Sequence, residues 1–188
     1  MGKKSYDELN ELEKLELEKL RRDFWDTLRR HLLEAQSSLQ PGGSKAGFWL
    51  WFKFGVTDNS EATGQNVRIV WVEGSKAKKI EDCSFYHVEV VYDGHPLPPL
   101  KPDPAMSLQW FKFMCERRQK IHDQLGFKLD WDNHAKIDVY LKSRRVIADI
   151  RDRNAWPGYI NDMRIQAERL HTVFQPHALA FNEAYLDG

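Results

Sequence analysis

The sequence predicts an α+β fold, in which helices pack on a mostly antiparallel sheet of about five strands. Three long segments carry apolar residues at helical spacing. Five shorter segments are rich in β-branched and aromatic residues, and turn signals such as Asp93-Gly94 and Asp132-Asn133-His134 follow two of them. After a long N-terminal helix, the predicted order of elements is β-β-β-α-β-β-α.

The first predicted helix runs from Ser5 to the Ser37-Ser38 pair. Ser5 and Glu8 have the spacing of a capping box, and leucines recur at helical spacing after them. An unbroken helix of this length would measure about 50 Å at 1.5 Å per residue, more than a domain of this size can cover. Part of it is therefore expected to project, to bend or to pack on another chain. The predicted interaction positions are the leucines of its first half: Leu9, Leu12, Leu17 and Leu20.

Charge is distributed unevenly along this helix. Six acids and one lysine lie between Asp7 and Glu18, whereas basic residues dominate from Lys19 to Arg30. Acidic residues near the N-terminus of a helix complement its dipole, which is one explanation. The other explanation is an arm that binds a partner or a second copy. We therefore divide the chain into a charged helical leader, residues 1–20, and a single α+β domain, residues 21–188.

The predicted strands differ in their patterns. The segment 48–54 is apolar on both faces at its start, which predicts a strand that is central in the sheet or covered on both sides. Residues 66–73 alternate, and residues 85–92 are β-branched and aromatic. Residues 127–131 and 135–141 are the two later strands.

Two further long helices and a short one complete the predicted fold. Asp103 as N-cap and Pro104 at the first helical position begin one of them, and Gly126 is placed to end it as a left-handed C-cap. The last long helix begins around Trp156-Pro157, and Pro176 is expected to kink or end it. A short helix then follows, with Ala178, Phe181 and Tyr185 at helical spacing.

Bulk properties narrow the function only broadly. Basic and acidic residues balance at 28 each, whereas a dedicated nucleic-acid binder is usually distinctly basic. No apolar run approaches the roughly 18 residues that a membrane span needs, and the N-terminus lacks the pattern of a secretory signal. We therefore expect a cytoplasmic protein without membrane contact, in which Cys83 and Cys115 are reduced. No cofactor is expected.

Motifs for metal-dependent chemistry are incomplete. A restriction-type nuclease needs an Asp, then a strand with Glu or Asp, one residue and Lys, because carboxylates hold Mg²⁺ and lysine steadies the reacting groups. Asp82 with Glu89-Val90-Val91 lacks the lysine, and Asp138-Val139-Tyr140 fails in the same way. Glu89 is therefore interpreted as a solvent-facing strand residue. No catalytic residue is predicted.

Three residues at a strand end are candidate metal ligands. Asp130, Asp132 and His134 alternate, so their side chains can face one way and hold a hard metal ion or zinc. The competing interpretation is a polar sheet face followed by a turn. His171 and His177, in their positive form, are interpreted as charges that suit the C-terminal end of the last long helix.

A basic connection precedes the last long helix, and it is the predicted nucleic-acid contact. Its cations are Lys142, Arg144, Arg145, Arg151 and Arg153. Together with the basic loop Ser75–Lys79 they can contact phosphates in a salt-sensitive, largely sequence-independent way. The competing interpretation is a solvated surface loop.

Several motifs together resemble a known family. They are Arg22-Asp23-Phe24-Trp25 in the first helix, an aromatic strand around Trp49-Leu50, Ile121-His122-Asp123-Gln124-Leu125-Gly126, Leu129-Asp130-Trp131, Ile137 to Tyr140, Asp152-Arg153-Asn154-Ala155-Trp156-Pro157 and Phe174-Gln175-Pro176. They extend from about Arg22 to Phe181 and so cover most of the chain. In this order they resemble the bacterial family called domain of unknown function 4268, which implies no accepted activity. Its members resemble C-terminal modules, sometimes behind a nuclease-like region, a context that implies DNA transactions or phage defence by association only.

Three functional hypotheses follow. The leading one is a non-catalytic interaction module, an oligomer or a subunit of a complex associated with bacterial nucleic-acid transactions or phage defence. The second is a metal-dependent, nuclease-like hydrolase with an atypical site. The third is direct nucleic-acid binding through the basic connection.

Overall fold

The computed structural model describes residues 10–39, 49–53, 65–72, 84–92, 104–132 and 139–185. Within these ranges the fold is α+β with a long N-terminal helix, and the predicted class is confirmed. The elements in chain order are α1 (Glu11–Glu34), β1 (Trp49–Lys53), β2 (Gln65–Val72), β3 (Phe85–Tyr92), α2 (Pro104–Cys115), α3 (Arg118–Leu125), β4 (Asp130–Asp132), β5 (Val139–Lys142), β6 (Val146–Ile147), a 3₁₀ turn (Arg153–Ala155) and α4 (Trp156–Tyr185).

The strands form one antiparallel sheet in the order β1-β2-β3-β5-β4, and the short β6 pairs with β3 beyond the end of β5. In the described sheet β1 lies at an edge and pairs with β2, so of the two alternatives for this segment the central position was wrong, whereas cover on both sides stays a prediction. The apolar character of the segment suits burial, but burial does not decide the order of strands.

One face of the sheet carries the helices. Val67, Ile69 and Trp71 alternate with less buried residues along β2, and their β3 partners Val90 and Val88 are fully buried beside them. Cross-strand partners in an antiparallel sheet project to the same face. We call this side the helix-covered face and the other side the opposite face.

Aromatic side chains join α1 and α4 to the helix-covered face. The ring of Phe24 in α1 lies edge-on to Trp71 of β2 and to Trp156 of α4, with centroid distances of 5.2 Å in both cases. Nearby, Tyr92 stacks on Trp110 of α2 and meets Phe181 of α4. The aromatic residues of the sequence therefore hold helices and sheet together.

Helix α1 begins later than predicted. Asn10 has an extended backbone, and its Oδ1 accepts a hydrogen bond from the Glu13 N–H at 2.9 Å, while Glu13 Oε2 accepts one from the Asn10 N–H at 2.8 Å. This capping box starts the helix at Glu11, so a helix unbroken from Ser5 was wrong. Ser5 and Leu9 lie outside the described residues.

With 24 residues, α1 is about 36 Å long, and a large part of it belongs to the core. Leu17 lies in the core cluster and Leu20 packs against it, whereas Leu12 is exposed. Of the four predicted interaction leucines, two thus have a structural role. The boundary at residue 20 stays a prediction.

The middle helix is divided. A turn at Glu116 and Arg117 separates α2 from α3, where a single helix was predicted. Arg117 Nη1 donates to the Phe113 carbonyl oxygen at 2.8 Å, and the guanidinium lies 3.5 Å from the centroid of the Phe113 ring. The predicted left-handed cap is confirmed, since Gly126 has φ 71° and donates its N–H to the His122 carbonyl. The predicted N-cap Asp103 lies outside the described residues.

The prediction that Pro176 kinks or ends the last helix was wrong in its second part, and the kink stays a prediction. Helix α4 runs through it from Trp156 to Tyr185, and the predicted short final helix is the last part of α4. Phe174, Ala178 and Phe181 are fully buried on either side of the exposed Pro176. Burial of this continuous apolar face outweighs the backbone hydrogen bond that proline cannot donate. Even this longest of the described helices lacks an apolar stretch that would cross a membrane.

Pro176→Ala is expected to raise the free energy of unfolding by about 1–2 kcal/mol. Alanine restores the N–H that the Thr172 carbonyl lacks and removes the ring clash, less the loss of the constraint that proline places on the unfolded chain. Urea unfolding measures the change. Pro157→Ala is the matched control, because a proline in the first helical turn leaves no intrahelical bond unmade, and no comparable gain is expected there. Equal effects of the two substitutions would contradict the explanation.

Candidate functional site

A pocket of about 360 Å³ opens where β4, β5 and the segment after β5 meet. We call it the basic pocket, because four of the residues that line it are cations. Its lining residues are His87, Lys128, Leu129, Asp130, Lys142, Ser143, Arg144 and Arg145.

The strand register places three charged residues in one row across the opposite face. Lys142 of β5 pairs with Glu89 of β3 on one side and with Asp130 of β4 on the other. Cross-strand neighbours are close enough for their side chains to interact. The two carboxylates therefore flank a lysine, an arrangement that sequence spacing does not reveal.

Ser143 holds the chain at the end of β5. Its N–H donates to the Val88 carbonyl at 2.8 Å, and its Oγ accepts from the Val88 N–H at 3.0 Å. The side chain thus continues the pairing with β3 beyond the last ladder residue. Because Ser143 is fixed, Arg144 and Arg145 leave the sheet from a rigid point and reach the pocket.

Glu89, one member of this row, forms a buried pair with His87. His87 Nε2 is 3.0 Å from Glu89 Oε2, and the two residues are 7% and 5% exposed. The interpretation of Glu89 as solvent-facing was therefore wrong: it is covered and it has a partner. The other ring nitrogen of His87, Nδ1, is buried and has no hydrogen-bond partner among the described residues.

The pocket carries a surplus of positive charge. Lys142 Nζ lies 5.2 Å from the centroid of the Tyr140 ring, and the Arg145 guanidinium lies 4.8 Å from that of Phe85, so two cations rest on aromatic faces. In the described parts of the chain, none of the four pocket cations forms an ion pair with a carboxylate. Asp130 is the acid that lines the pocket with them. The electrostatic potential in the pocket therefore favours binding of an anion.

The predicted basic connection divides into two parts. Lys142, Arg144 and Arg145 line the pocket, but Arg151 and Arg153 do not. Arg153 Nη2 donates to Asp23 Oδ2 of α1 at 2.8 Å, and its guanidinium lies over the Trp156 ring. Arg153 therefore ties α1 to the start of α4. Arg151 is exposed, and the basic loop 75–79 lies outside the described residues.

Of the candidate metal ligands, Asp130 lines the pocket and is exposed. His134 lies outside the described residues, as does the side chain of Asp132. Within the described ranges, no three His, Cys, Asp or Glu side chains form a group that would hold a metal ion.

His122 positions the segment that leads into the pocket. Its Nε2 accepts hydrogen bonds from the Trp131 indole at 2.8 Å and from the Leu129 N–H at 3.3 Å. Burial, assisted by the charges of Arg118 and Lys128, lowers the pKa of this histidine, which keeps the accepting nitrogen unprotonated. The two motifs that carry His122 and Trp131 are thus joined by a structural contact next to Lys128 and Asp130.

Two further titratable residues, His177 and Cys115, are partly or fully buried, and burial shifts the pKa of each. Helix α4 continues past His177, and burial, with the charges of Lys120 and Arg117, lowers its pKa. A positive His177 at a helix end was therefore wrong, because burial favours the neutral form. Burial also raises the pKa of the Cys115 thiol, although Arg118 opposes this, so it is not an activated nucleophile. Cys83 lies outside the described residues.

Sequence reasoning missed His87 and Lys128 as members of the site. His87 lies within a β-branched and aromatic segment, a pattern that predicts a buried strand. Lys128 has no other basic residue beside it in the sequence. Only the pairing of β3, β5 and β4 brings them to Arg144 and Arg145.

Comparison with known families supports the resemblance for the motifs after residue 100, whereas the earlier motifs, at Arg22-Asp23-Phe24-Trp25 and Trp49-Leu50, lie outside the match. Residues 100–178 match the model of the family described as Domain of unknown function (DUF4268). Neither the curated proteins nor the solved structures include a match to this chain. The matched segment contains Lys128, Asp130 and the three predicted pocket cations, whereas His87 and Glu89 precede it.

Proposed function

We propose that this chain, whose residues 100–178 resemble the family of unknown function 4268, is a non-catalytic interaction module that binds the phosphate backbone of nucleic acid through the basic pocket. The proposal includes a place in a complex that acts in bacterial nucleic-acid transactions or phage defence, in the cytoplasm. The context of the family supports that part by association.

The observation that carries the proposal is the convergence of Lys128, Lys142, Arg144 and Arg145 on one pocket. These cations come from β5 and the segments that flank β4 and β5, so a fold of zero net charge concentrates them at one place. Lysine and arginine side chains neutralise phosphates and release counterions, which makes the binding salt-dependent. Arginine adds bidentate hydrogen bonds to phosphate oxygens.

The aromatic supports favour a positioned contact over a solvated loop. Tyr140 under Lys142 and Phe85 under Arg145 restrict where these cations lie. Ser143 fixes the backbone between them through its two hydrogen bonds to Val88. Preorganised cations lose less conformational entropy on binding than mobile ones. Contacts of this kind position a nucleic acid without reading its bases.

Binding of fluorescent single-stranded DNA, duplex DNA and RNA, measured by anisotropy over a range of salt concentrations, tests the proposal. The double variant Arg144→Glu/Arg145→Glu is expected to lose at least about tenfold in affinity at low salt, and the log-log salt slope is expected to fall by about 2. The matched control, Arg151→Glu/Arg169→Glu, makes the same charge change at exposed positions outside the pocket. Equal affinities of the two double variants would overturn the proposal, as would absence of binding by the unaltered chain at low salt.

The row Glu89-Lys142-Asp130 is the observation that favours the rival hypothesis of a hydrolase. It brings two carboxylates and a lysine, the residue types of a restriction-type site, onto one face. Incubation of the same nucleic acids with Mg²⁺ or Mn²⁺ separates the two hypotheses. Cleavage that Glu89→Ala or Asp130→Ala abolishes would overturn the non-catalytic part of the proposal, whereas intact substrate supports it.

A further inference from the structure

We propose that two copies of this chain associate through the solvent-facing side of α1, with the two helices antiparallel. The surface concerned is a line of residues that we call the outer seam. Its members follow each other at alternating intervals of three and four positions: Leu12, Leu15, Lys19, Arg22, Asp26, Arg29 and Leu33.

This spacing is the heptad pattern that helices use to pair lengthwise. Alternating steps of three and four keep every member on one stripe of the helix surface. The seam extends from Leu12 to Leu33, which is 22 of the 24 residues of α1. The pattern is distinct from the one that the fold itself uses.

The fold uses the other side of the same helix. Leu17, Phe24 and Leu28 face the core and are at most 4% exposed. Leu12, Leu15 and Leu33 of the seam are 66%, 59% and 73% exposed. The helix therefore has a second apolar feature, two leucines near its start and one near its end, that the described residues of its own chain do not cover.

The charges at the centre of the seam indicate that a second copy of α1 binds there, and they indicate its orientation. The centre of the seam is Lys19, Arg22, Asp26 and Arg29. In a parallel pair of identical helices each of these would meet its own copy, so like charges would oppose one another along the whole centre. An antiparallel pair can set Arg22 of one helix against Asp26 of the other, which no parallel in-register pair allows, and it is therefore favoured.

One antiparallel register pairs the leucines and most of the opposite charges. It places Leu15 of one copy against Leu33 of the other, twice by symmetry, and Arg22 against Asp26, also twice. Glu16 and Arg30, which flank the seam and are exposed, then oppose each other as well. Lys19 faces Arg29, whose charge the Asp26 carboxylate of its own helix already offsets at 2.7 Å. The acid-first charge order of α1 is thus self-complementary.

The position of the seam suits a lengthwise interface. Phe24 packs on the body of the fold from the inner side of α1, and Arg153 binds Asp23 on the stripe beside the seam, so the outer side is presented by a fixed helix. The contact area of a single helix pair is small, and interfaces of that size are weak or transient. We therefore expect a monomer–dimer equilibrium in the micromolar range.

Sedimentation velocity of the whole chain, from low micromolar to several hundred micromolar, tests the association. The expected result is a concentration-dependent increase to twice the monomer mass. Leu15→Glu/Leu33→Glu is expected to remain a monomer throughout, and it should fold because both side chains are exposed. Ile165→Glu, a change at an exposed residue of α4, is the control and should dimerise normally. A monomer at every concentration, or a dimer that the seam variant retains, would overturn the proposal.

Disulfide formation tests the direction of pairing. In a background with Cys83 and Cys115 replaced by serine, Leu15→Cys and Leu33→Cys are made in separate chains. Residues 15 and 33 lie about 27 Å apart along the helix, so each variant alone keeps its thiols apart in the antiparallel pair. A mixture of the two chains should cross-link under mild oxidation much faster than either alone. Faster cross-linking of the single variants would indicate parallel pairing and contradict the proposed register.

This inference does not depend on the proposed binding of nucleic acid. A dimer without affinity for nucleic acid would leave the seam established and the basic pocket unassigned. Binding by a strict monomer would give the reverse result.

Discussion

Phe24→Ala is expected to lower the free energy of unfolding by about 3–5 kcal/mol, which is the usual cost of removing a fully buried phenylalanine. The ring is 0% exposed and lies edge-on to Trp25, Trp71 and Trp156, with centroid distances of 5.2–5.4 Å. Its loss leaves a cavity between α1, the sheet and α4, which three rigid indoles cannot fill by changing rotamer. Urea unfolding followed by far-UV circular dichroism measures the change in midpoint.

The matched control for Phe24 is Ile165→Ala, which shortens a half-exposed apolar side chain of α4. We expect a loss of about 1 kcal/mol or less, because little apolar area is removed from the core. A Phe24→Ala cost that does not exceed this control would contradict the role of α1 as part of the core. A changed slope with denaturant would instead indicate that α1 detaches separately.

The second large effect is expected at Gln65, in a buried polar network. Gln65 is 1% exposed; its Nε2 donates to Asn182 Oδ1 at 2.7 Å, and its Oε1 accepts from the Trp110 indole at 2.8 Å. Gln65→Met keeps the size of the side chain but leaves the Trp110 N–H without this acceptor. We expect a loss of about 2–4 kcal/mol, since each buried polar group that loses its partner costs about 1–3 kcal/mol.

A double-mutant cycle with Trp110→Phe distinguishes the network from simple packing. Phenylalanine removes the indole N–H, so Gln65→Met should cost at least about 1 kcal/mol less in that background. Chemical denaturation of the four chains gives the coupling energy. Additive effects would show that the hydrogen bond between Gln65 and Trp110 contributes nothing of its own, and that the loss is one of shape alone.

Local signals predicted much of this fold, and tertiary competition explains where they failed. Helical spacing, Pro157 in a first turn and Gly126 as a cap are properties of short segments, and each was found in its place. The helix continues through Pro176 because the apolar face on either side of that residue is buried against the sheet and the other helices. The break after Cys115 and the edge position of β1 likewise depend on partners far away in sequence.

The candidate site was predictable only where its residues are contiguous. Lys142, Arg144 and Arg145 follow each other in the chain, so a basic cluster was visible without a structure. Lys128 and His87 join it through strand register, which a single sequence specifies weakly when strands are short. The burial of Glu89 and its contact with His87 overturned the solvent-facing interpretation, since alternation along one strand does not tell which of its two faces is covered.

The segment that matches the family model is shorter than the part of the chain that folds together, because it leaves out β3. The matched segment, 100–178, contains β4 and β5 but not β3, the strand whose backbone groups β5 pairs with. It also stops before Phe181 and Asn182, which contact Tyr92 and Gln65 of the preceding strands. Isolated in that form, the segment would present the unpaired edge of β5 to solvent and invite aggregation. The segment that matches the family is therefore one part of a cooperative whole, which in this chain β3 and the end of α4 complete.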